Sequence, residues 1–252
     1  MSNDVVPREE KELVVRSEVP AGLPYRKYRN YLRYDFFHSC GYCTISEAEA
    51  SAIRFTIDHY EPQNSRADLV NEYGNLIWAC DTCNTYKGDL CPPPVAREKG
   101  HRIFRPDEDL FLENFARDGS KLKELTTTGW FSIEALDLNR ESLQRLRELR
   151  SRLSDCEEHI TAGILALRSF GIDRLPNHLR SPAARSISSL ISAHGTIVAA
   201  IESVLRQNAA SLLIDDDGTA ELRQKSRAAK LKATEALYPG GDWRARRKKR
   251  KR

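Results

Sequence analysis

Apolar and polar positions alternate over residues 54–59, with Phe55, Ile57 and His59 on one side and Arg54, Thr56 and Asp58 on the other. That period of two predicts a strand, which Pro62 ends. A second strand is predicted at Asn75-Leu76-Ile77-Trp78-Ala79, entered through Gly74, and Cys83 to about Lys87 reads as the first turn of a helix stopped at Gly88. Pro92-Pro93-Pro94 marks a boundary after this β-β-α unit. The stretch 101–136 is mixed, with short strands or turns expected around Gly119 and Gly129. From Leu138 the apolar spacing changes to three and four. Leu143, Leu146, Leu149, Leu153, Cys156, Ile160 and Ile164 form a helical stripe, with Asn139 as its N-cap and Gly171 as its end. Ser181-Pro182 offers an N-cap with proline in the first turn. The stripe Ile187, Leu190, Ile191, Ile197, Val198 and Ile201 follows, to roughly Leu213. Asp215-Asp216-Asp217-Gly218 breaks it, and Thr219 caps a last amphipathic helix to about Leu237.

These elements predict an α+β chain: a small ββα module followed by a mainly α-helical C-terminal region. The expected divisions are a partly disordered leader at 1–24, the module at 25–100, a connecting region at 101–138, a helical region at 139–238 and a disordered basic tail at 239–252. Residues 25–34 interleave four tyrosines with four basic residues, and on a helix Tyr28, Tyr31 and Leu32 share a face. That segment reads either as a packing helix with a charged outer side or as a phosphate-contacting face. The C-terminal helices carry no motif of their own, so packing, partner binding or self-association is their expected role.

Composition adds a class and a compartment. The chain has 252 residues, 40% hydrophobic and 30% charged, as in a globular protein with a real core. No apolar run approaches the ~20 residues needed to span a bilayer. The first residues lack the pattern of a signal peptide, so a cytoplasmic location is expected. The formal charge is +4, but eight of the nine residues 244–252 are basic. The tail, including Arg244, Arg246, Arg247, Lys248 and Lys249, reads as a solvated arm or as one that neutralises phosphates. Trp243, just before it, either stacks on a base or fixes the arm in place.

The sharpest chemical signal is a pair of C-x-x-C turns, Cys40-Gly41-Tyr42-Cys43 and Cys80-Asp81-Thr82-Cys83. In a reducing compartment such pairs read as a tetrahedral zinc site, structural because all four positions are filled by protein. Cys91 and Cys156 are left over and are expected to be buried, inert thiols. Asp58-His59 lies between the pairs. Neighbours on a strand point to opposite faces, so one of the two can bind a metal while the other faces an attacking water. His38, two residues before Cys40, is a weak competitor for the zinc, and His101 lacks a partner at ligand spacing.

Cys40, Cys43, Asp58-His59, Pro62, Asn75-Leu76, Cys80, Cys83-Asn84 and Lys87 together resemble the HNH (ββα-metal) endonuclease family in its zinc-containing form. The resemblance covers about residues 36–89. It implies His59 as general base, Asp58 and Asn84 as ligands of a catalytic Mg²⁺ or Mn²⁺, Asn75 as the brace of the loop that aims His59, and Lys87 as a phosphate contact. It also implies nucleic acid, with DNA favoured, as the substrate. Phe104-Arg105-Pro106-Asp107, Asp118-Gly119, Thr128-Gly129 and Leu136-Asp137-Leu138-Asn139-Arg140 resemble a bacterial HNH subgroup of antiphage defence, whose members work beside a separate ATPase or sensor subunit. The rival expectation is a zinc-stapled binding module without catalytic activity.

Overall fold

In a computed structural model of the chain, residues 13–50, 53–169, 176–186, 188–189 and 220–245 are described. Strand β1 (Phe55–His59) pairs antiparallel with β2 (Leu76–Cys80), in the register Phe55 to Cys80, Ile57 to Trp78 and His59 to Leu76. Helix α1 (Arg29–Asp35) precedes them and α2 (Asp81–Lys87) follows directly. All five residues of β2 are buried, as expected of a strand covered on both faces. The α1 side covers the face carrying Phe55, Ile57 and His59, with the Arg29 guanidinium 4.8 Å from the Trp78 ring. The other face, with Thr56 and Asp58, lies under α2.

Downstream, α3 (Pro94–Glu98) and α4 (Phe111–Asn114) lead into the hairpin of β3 (Phe115–Asp118) and β4 (Lys121–Glu124). Helices α5 (Thr127–Leu136), α6 (Glu141–Ser169) and α7 (Ala220–Ala236) follow. The hairpin turns at Gly119, where φ is +60°, as the sequence suggested. Gly129 instead lies inside α5. A side chain there would put Cβ 2.1 Å from the Asn114 carbonyl oxygen, so glycine is needed for the close approach of α5 to α4.

Several expectations change. Asn139 does not cap α6, because its side-chain amide is spent on both backbone groups of Leu122, at 2.8 Å each. Ser181-Pro182 lies within a helical stretch at 177–186 that opens behind Pro176, rather than at its start. Tyr28 and Leu32 are buried as the spacing predicted, but Tyr31 is exposed. Residues 13–24 are not a loose leader. The Val15 amide donates to the Asp35 carbonyl, and Arg16 pairs with Asp107 and donates to the Leu76 carbonyl. Residues 239–245 are likewise packed: Trp243 is buried, and Cys91 and Ala245 donate to the carbonyls of Trp243 and Asp89. Trp243 therefore fixes the start of the arm rather than facing a base. Pro92-Pro93-Pro94, where a boundary was expected, opens α3, whose Arg97 pairs back with Glu61. Cys91 is half-buried, with the Arg97 guanidinium 3.1 Å from its sulfur. Residues 1–12, the stripe from Ile187 to Leu213, Gly171, the 215–219 break and cap, the Cys156 side chain and tail residues 246–252 lie outside the described residues.

Gly129→Ala tests the α4–α5 contact. The added methyl group is expected to destabilise the fold by about 1–3 kcal/mol or more, seen as a lower denaturant midpoint.

Candidate metal and catalytic centre

The two C-x-x-C turns meet at one point. Cys40, Cys43, Cys80 and Cys83 are all buried, with their sulfurs within 4.8 Å of one another and Cys43 Sγ 3.7 Å from Cys80 Sγ. Zinc–sulfur bonds of about 2.3 Å in a tetrahedron set sulfurs about 3.8 Å apart, so the four thiols fit zinc. The Gly41 amide ties the first turn to the free edge of β2 by donating to the Trp78 carbonyl at 2.8 Å. Gly41 is required there, since a Cβ would meet the Phe36 ring at 2.7 Å. Cys80 ends β2 and caps α2, its sulfur accepting from the Cys83 amide.

One residue to which the sequence assigned no role here supplies the charge balance. Arg140 is 2% exposed, and its guanidinium nitrogens lie 3.7 and 3.8 Å from Cys83 Sγ. Among the described residues it has no carboxylate partner; its other bonds go to the carbonyls of Leu136 and Asp137. Burial acts to lower its pKa, but the sulfurs of Cys83, Cys43 and Cys80 outweigh that and hold it charged. A buried cation needs an anion, and here thiolates are the available one. Four thiolates around a divalent ion carry excess negative charge, which the guanidinium offsets. His38 is half-buried, 3.9 Å from Glu47, and lies outside the cysteine cluster.

On the α2 face of β1, Asp58 is 5% exposed with donors on both oxygens. Tyr42 Oη donates to Oδ2 at 2.6 Å, and Lys87 Nζ to Oδ1 at 3.1 Å. Lys87 also donates to the His59 carbonyl at 2.7 Å. Being 1% exposed, Lys87 cannot reach a phosphate in this arrangement; it neutralises Asp58 and holds the end of β1. Asn84, one turn before it on α2, donates its side-chain amide to Thr56 Oγ1 at 2.9 Å, which leaves its side-chain oxygen Oδ1 without a partner among the described residues. That oxygen and the remaining acceptor sites of Asp58 are hard oxygen donors, the chemistry that Mg²⁺ or Mn²⁺ would take.

His59 lies on the opposite face. Its Nε2 is 2.9 Å from the Val70 carbonyl, which only accepts, so the proton sits on Nε2 and Nδ1 keeps its lone pair. The Gln63 amide nitrogen is 3.0 Å from Nδ1 and 3.4 Å from Nε2. Contact with both ring nitrogens places it across the imidazole rather than along either lone pair. Tyr25 packs edge-on at 4.9 Å. Burial lowers the His59 pKa, and Lys87 adds to this, against the raising influence of the Val70 bond and of Asp58. The ring is thus neutral near pH 7. Asn75 closes the loop between the strands: its Oδ1 accepts from the Glu61 amide, and its Nδ2 donates to the carbonyls of Glu61 and Leu69.

The family model for HNH endonuclease matches residues 40–90, from the first zinc-turn cysteine to the end of the loop after α2. Residues 40–90 are an HNH endonuclease domain. No curated protein and no solved structure matches the chain. The match ends before the stretch 104–140, and the comparisons lend the antiphage subgroup no support. No helix among the described residues is long and apolar enough to cross a membrane.

Of the residues that the sequence singled out, the HNH fold brings the four cysteines together and sets Asp58, Asn84 and Lys87 under α2. It places His59 on the other face, at the strand's end, with Asn75 behind its loop. Tyr42, Gln63 and the Val70 carbonyl were missed. Tyr42 was signalled only by its place between two cysteines, and Gln63 by following His59 by four positions. Arg140 was quoted only as the end of the 136–140 motif, with no role at the cysteines assigned to it.

Two substitutions test the buried charges. Arg140→Met and Lys87→Met each strand a buried partner, and each is expected to cost about 3–5 kcal/mol in chemical unfolding. For Arg140→Met, a chelator-dye assay should also show faster zinc release. Stripping zinc from the wild type should unfold the module, read by loss of Trp78 fluorescence structure and of circular dichroism.

Proposed function

We propose that this chain is a metal-dependent endonuclease that hydrolyses phosphodiester bonds of DNA, with His59 as general base. The observation that carries this reading is the imidazole itself. It is fixed as the neutral Nε2–H tautomer by the Val70 carbonyl, with Nδ1 left basic, next to a clamped Asp58 on the adjoining residue.

In this reading Nδ1 of His59 takes a proton from an in-line water as the water oxygen bonds to phosphorus, and the P–O3′ electron pair leaves on the 3′ oxygen. The products are a 5′-phosphate and, after protonation by solvent, a 3′-hydroxyl. Asn75 keeps the 60–75 loop closed, and with it the Val70 carbonyl that sets the tautomer. Asp58 and Asn84 would hold Mg²⁺ or Mn²⁺, which when bound stabilises negative charge on the phosphoryl and leaving oxygens. The four cysteines would hold a structural zinc. Arg244, exposed and tied by a β-bridge to Leu90, would deliver Arg246, Arg247, Lys248 and Lys249 to the phosphate backbone. A separate ATPase or sensor subunit, self-association through the helical region, a cytoplasmic location and a defence role rest on the sequence resemblance and are part of the same proposal. A binding module without activity is the rival, and the intact set of Asp58, His59, Asn75 and Asn84 speaks against it.

Supercoiled plasmid incubated with the protein and Mg²⁺ or Mn²⁺ is expected to be nicked or linearised. EDTA and His59→Ala should each abolish this. Cleavage that survives His59→Ala would dismiss the assigned base, and silence of the zinc-loaded wild type with and without a partner would favour the binding module.

The acid limb of kcat/KM gives a second test. Because the His59 pKa is lowered in the folded protein, the neutral base persists to more acidic pH than a free imidazole allows. The limb's midpoint is expected below the ordinary value of about 6.5. By the same sign, the stability held by neutral His59 is present above the unfolded-state value and declines as pH falls below it.

A further inference from the structure

We propose that Tyr42 is a positioning residue of the nuclease site: its hydroxyl aims the Asp58 carboxylate at the catalytic cation, so the zinc turn sets the cation's affinity. This rests on the reading of Asp58 as a metal ligand and extends it to the part of the chain treated so far as a staple.

Tyr42 lies between two zinc ligands, and its backbone has little freedom. The flanking Gly41 amide is bonded to Trp78 O at 2.8 Å, and the Thr44 amide to Cys40 O at 2.9 Å. The ring is 1% exposed, so it cannot swing away. Its hydroxyl reaches Asp58 Oδ2 at 2.6 Å, across 16 residues of sequence. A phenol is protonated at neutral pH, so the hydroxyl donates and the carboxylate accepts. Lys87, four residues after the last zinc ligand, holds the other oxygen at 3.1 Å.

One donor is thus carried by the first zinc turn, and the other by α2, the helix that starts at the second. A carboxylate oxygen has about two acceptor sites. One on each is used, and the carboxylate cannot rotate without breaking a buried bond. The sites left over keep a fixed direction, which is what a weakly held, geometrically demanding cation requires. The partners of a ligating carboxylate typically govern metal affinity by about 10–100-fold.

The test is Tyr42→Phe in the full-length, zinc-loaded chain, with Mn²⁺ binding followed by electron paramagnetic resonance of the free ion and zinc measured in parallel. Expected are Mn²⁺ binding weaker by about 10–100-fold, unchanged zinc content, and plasmid cleavage regained at high Mn²⁺, so that the metal requirement moves and the saturated rate does not. Unchanged Mn²⁺ affinity would overturn the proposal. So would loss of zinc, since the hydroxyl would then serve the zinc turn and not Asp58. Asp58→Asn measured alongside separates the two levels: if it binds Mn²⁺ like the wild type, the reading of Asp58 as a ligand fails, whatever Tyr42→Phe does.

Discussion

The closure of four sulfurs at the β2–α2 junction is the constraint on which the rest of the centre depends. Cys80 is the last residue of β2 and the cap of α2, so strand becomes helix with no loop between them. Such an abrupt turn is held by its own sulfur accepting from the Cys83 amide and by Cys40 and Cys43 opposite. Once the helix direction is fixed, Asn84 and Lys87, one turn apart, fall on Thr56 and Asp58, two residues apart on the strand. Neither pairing is local in sequence. Both follow from the angle at which α2 leaves Cys80.

Adjacent residues then take on different electrostatic tasks. Asp58 is buried with an ammonium and a phenol, which makes a charged group tolerable in a low-dielectric interior. His59 faces the other way and keeps a lone pair. His59 is the last residue of β1, where the chain leaves the sheet, and the proposed reaction would use both residues there. There the 60–75 loop folds back, and Asn75 and the Val70 carbonyl determine the ring's orientation. Lys87 links the two, holding the Asp58 carboxylate and the His59 carbonyl with one ammonium.

The legible part of the chain was local. Alternation gave β1 and the run entered through Gly74 gave β2, each to within a residue, and C-x-x-C spacing gave the cysteine cluster, because these are short-range patterns with few alternatives. The helix of α6 was also readable, though its cap was not: an asparagine before a helix is a cap only if nothing else takes its amide, and β4 takes that of Asn139. Lys87 was misread because a lysine after a metal motif suggests phosphate, while burial beside Asp58 depends on the α2 angle, which no sequence period encodes. Gly129 was misread as a turn because glycine marks close approach as well as bends. Arg140 and Tyr42 act across 57 and 16 residues, through contacts that exist only after folding.

The region beyond residue 90 is physically part of the HNH centre. Arg140 faces the cysteine cluster from the α5–α6 turn. Arg150 of α6 donates to the hydroxyl and carbonyl of Thr44, next to Cys43, and pairs with Glu49. Arg97 of α3 grips Glu61 in the His59 loop, and the segment around Trp243 pairs with residues 89–91. A module of two short strands and a seven-residue helix buries too little apolar surface to secure such geometry alone. Metal closure supplies part of the deficit, and guanidinium groups bonded to backbone carbonyls and sulfurs supply more, each fixing a particular loop. The region after residue 90 therefore helps to hold the shape of the HNH centre, through the contacts of Arg140 with Cys83 and of Arg150 with Thr44.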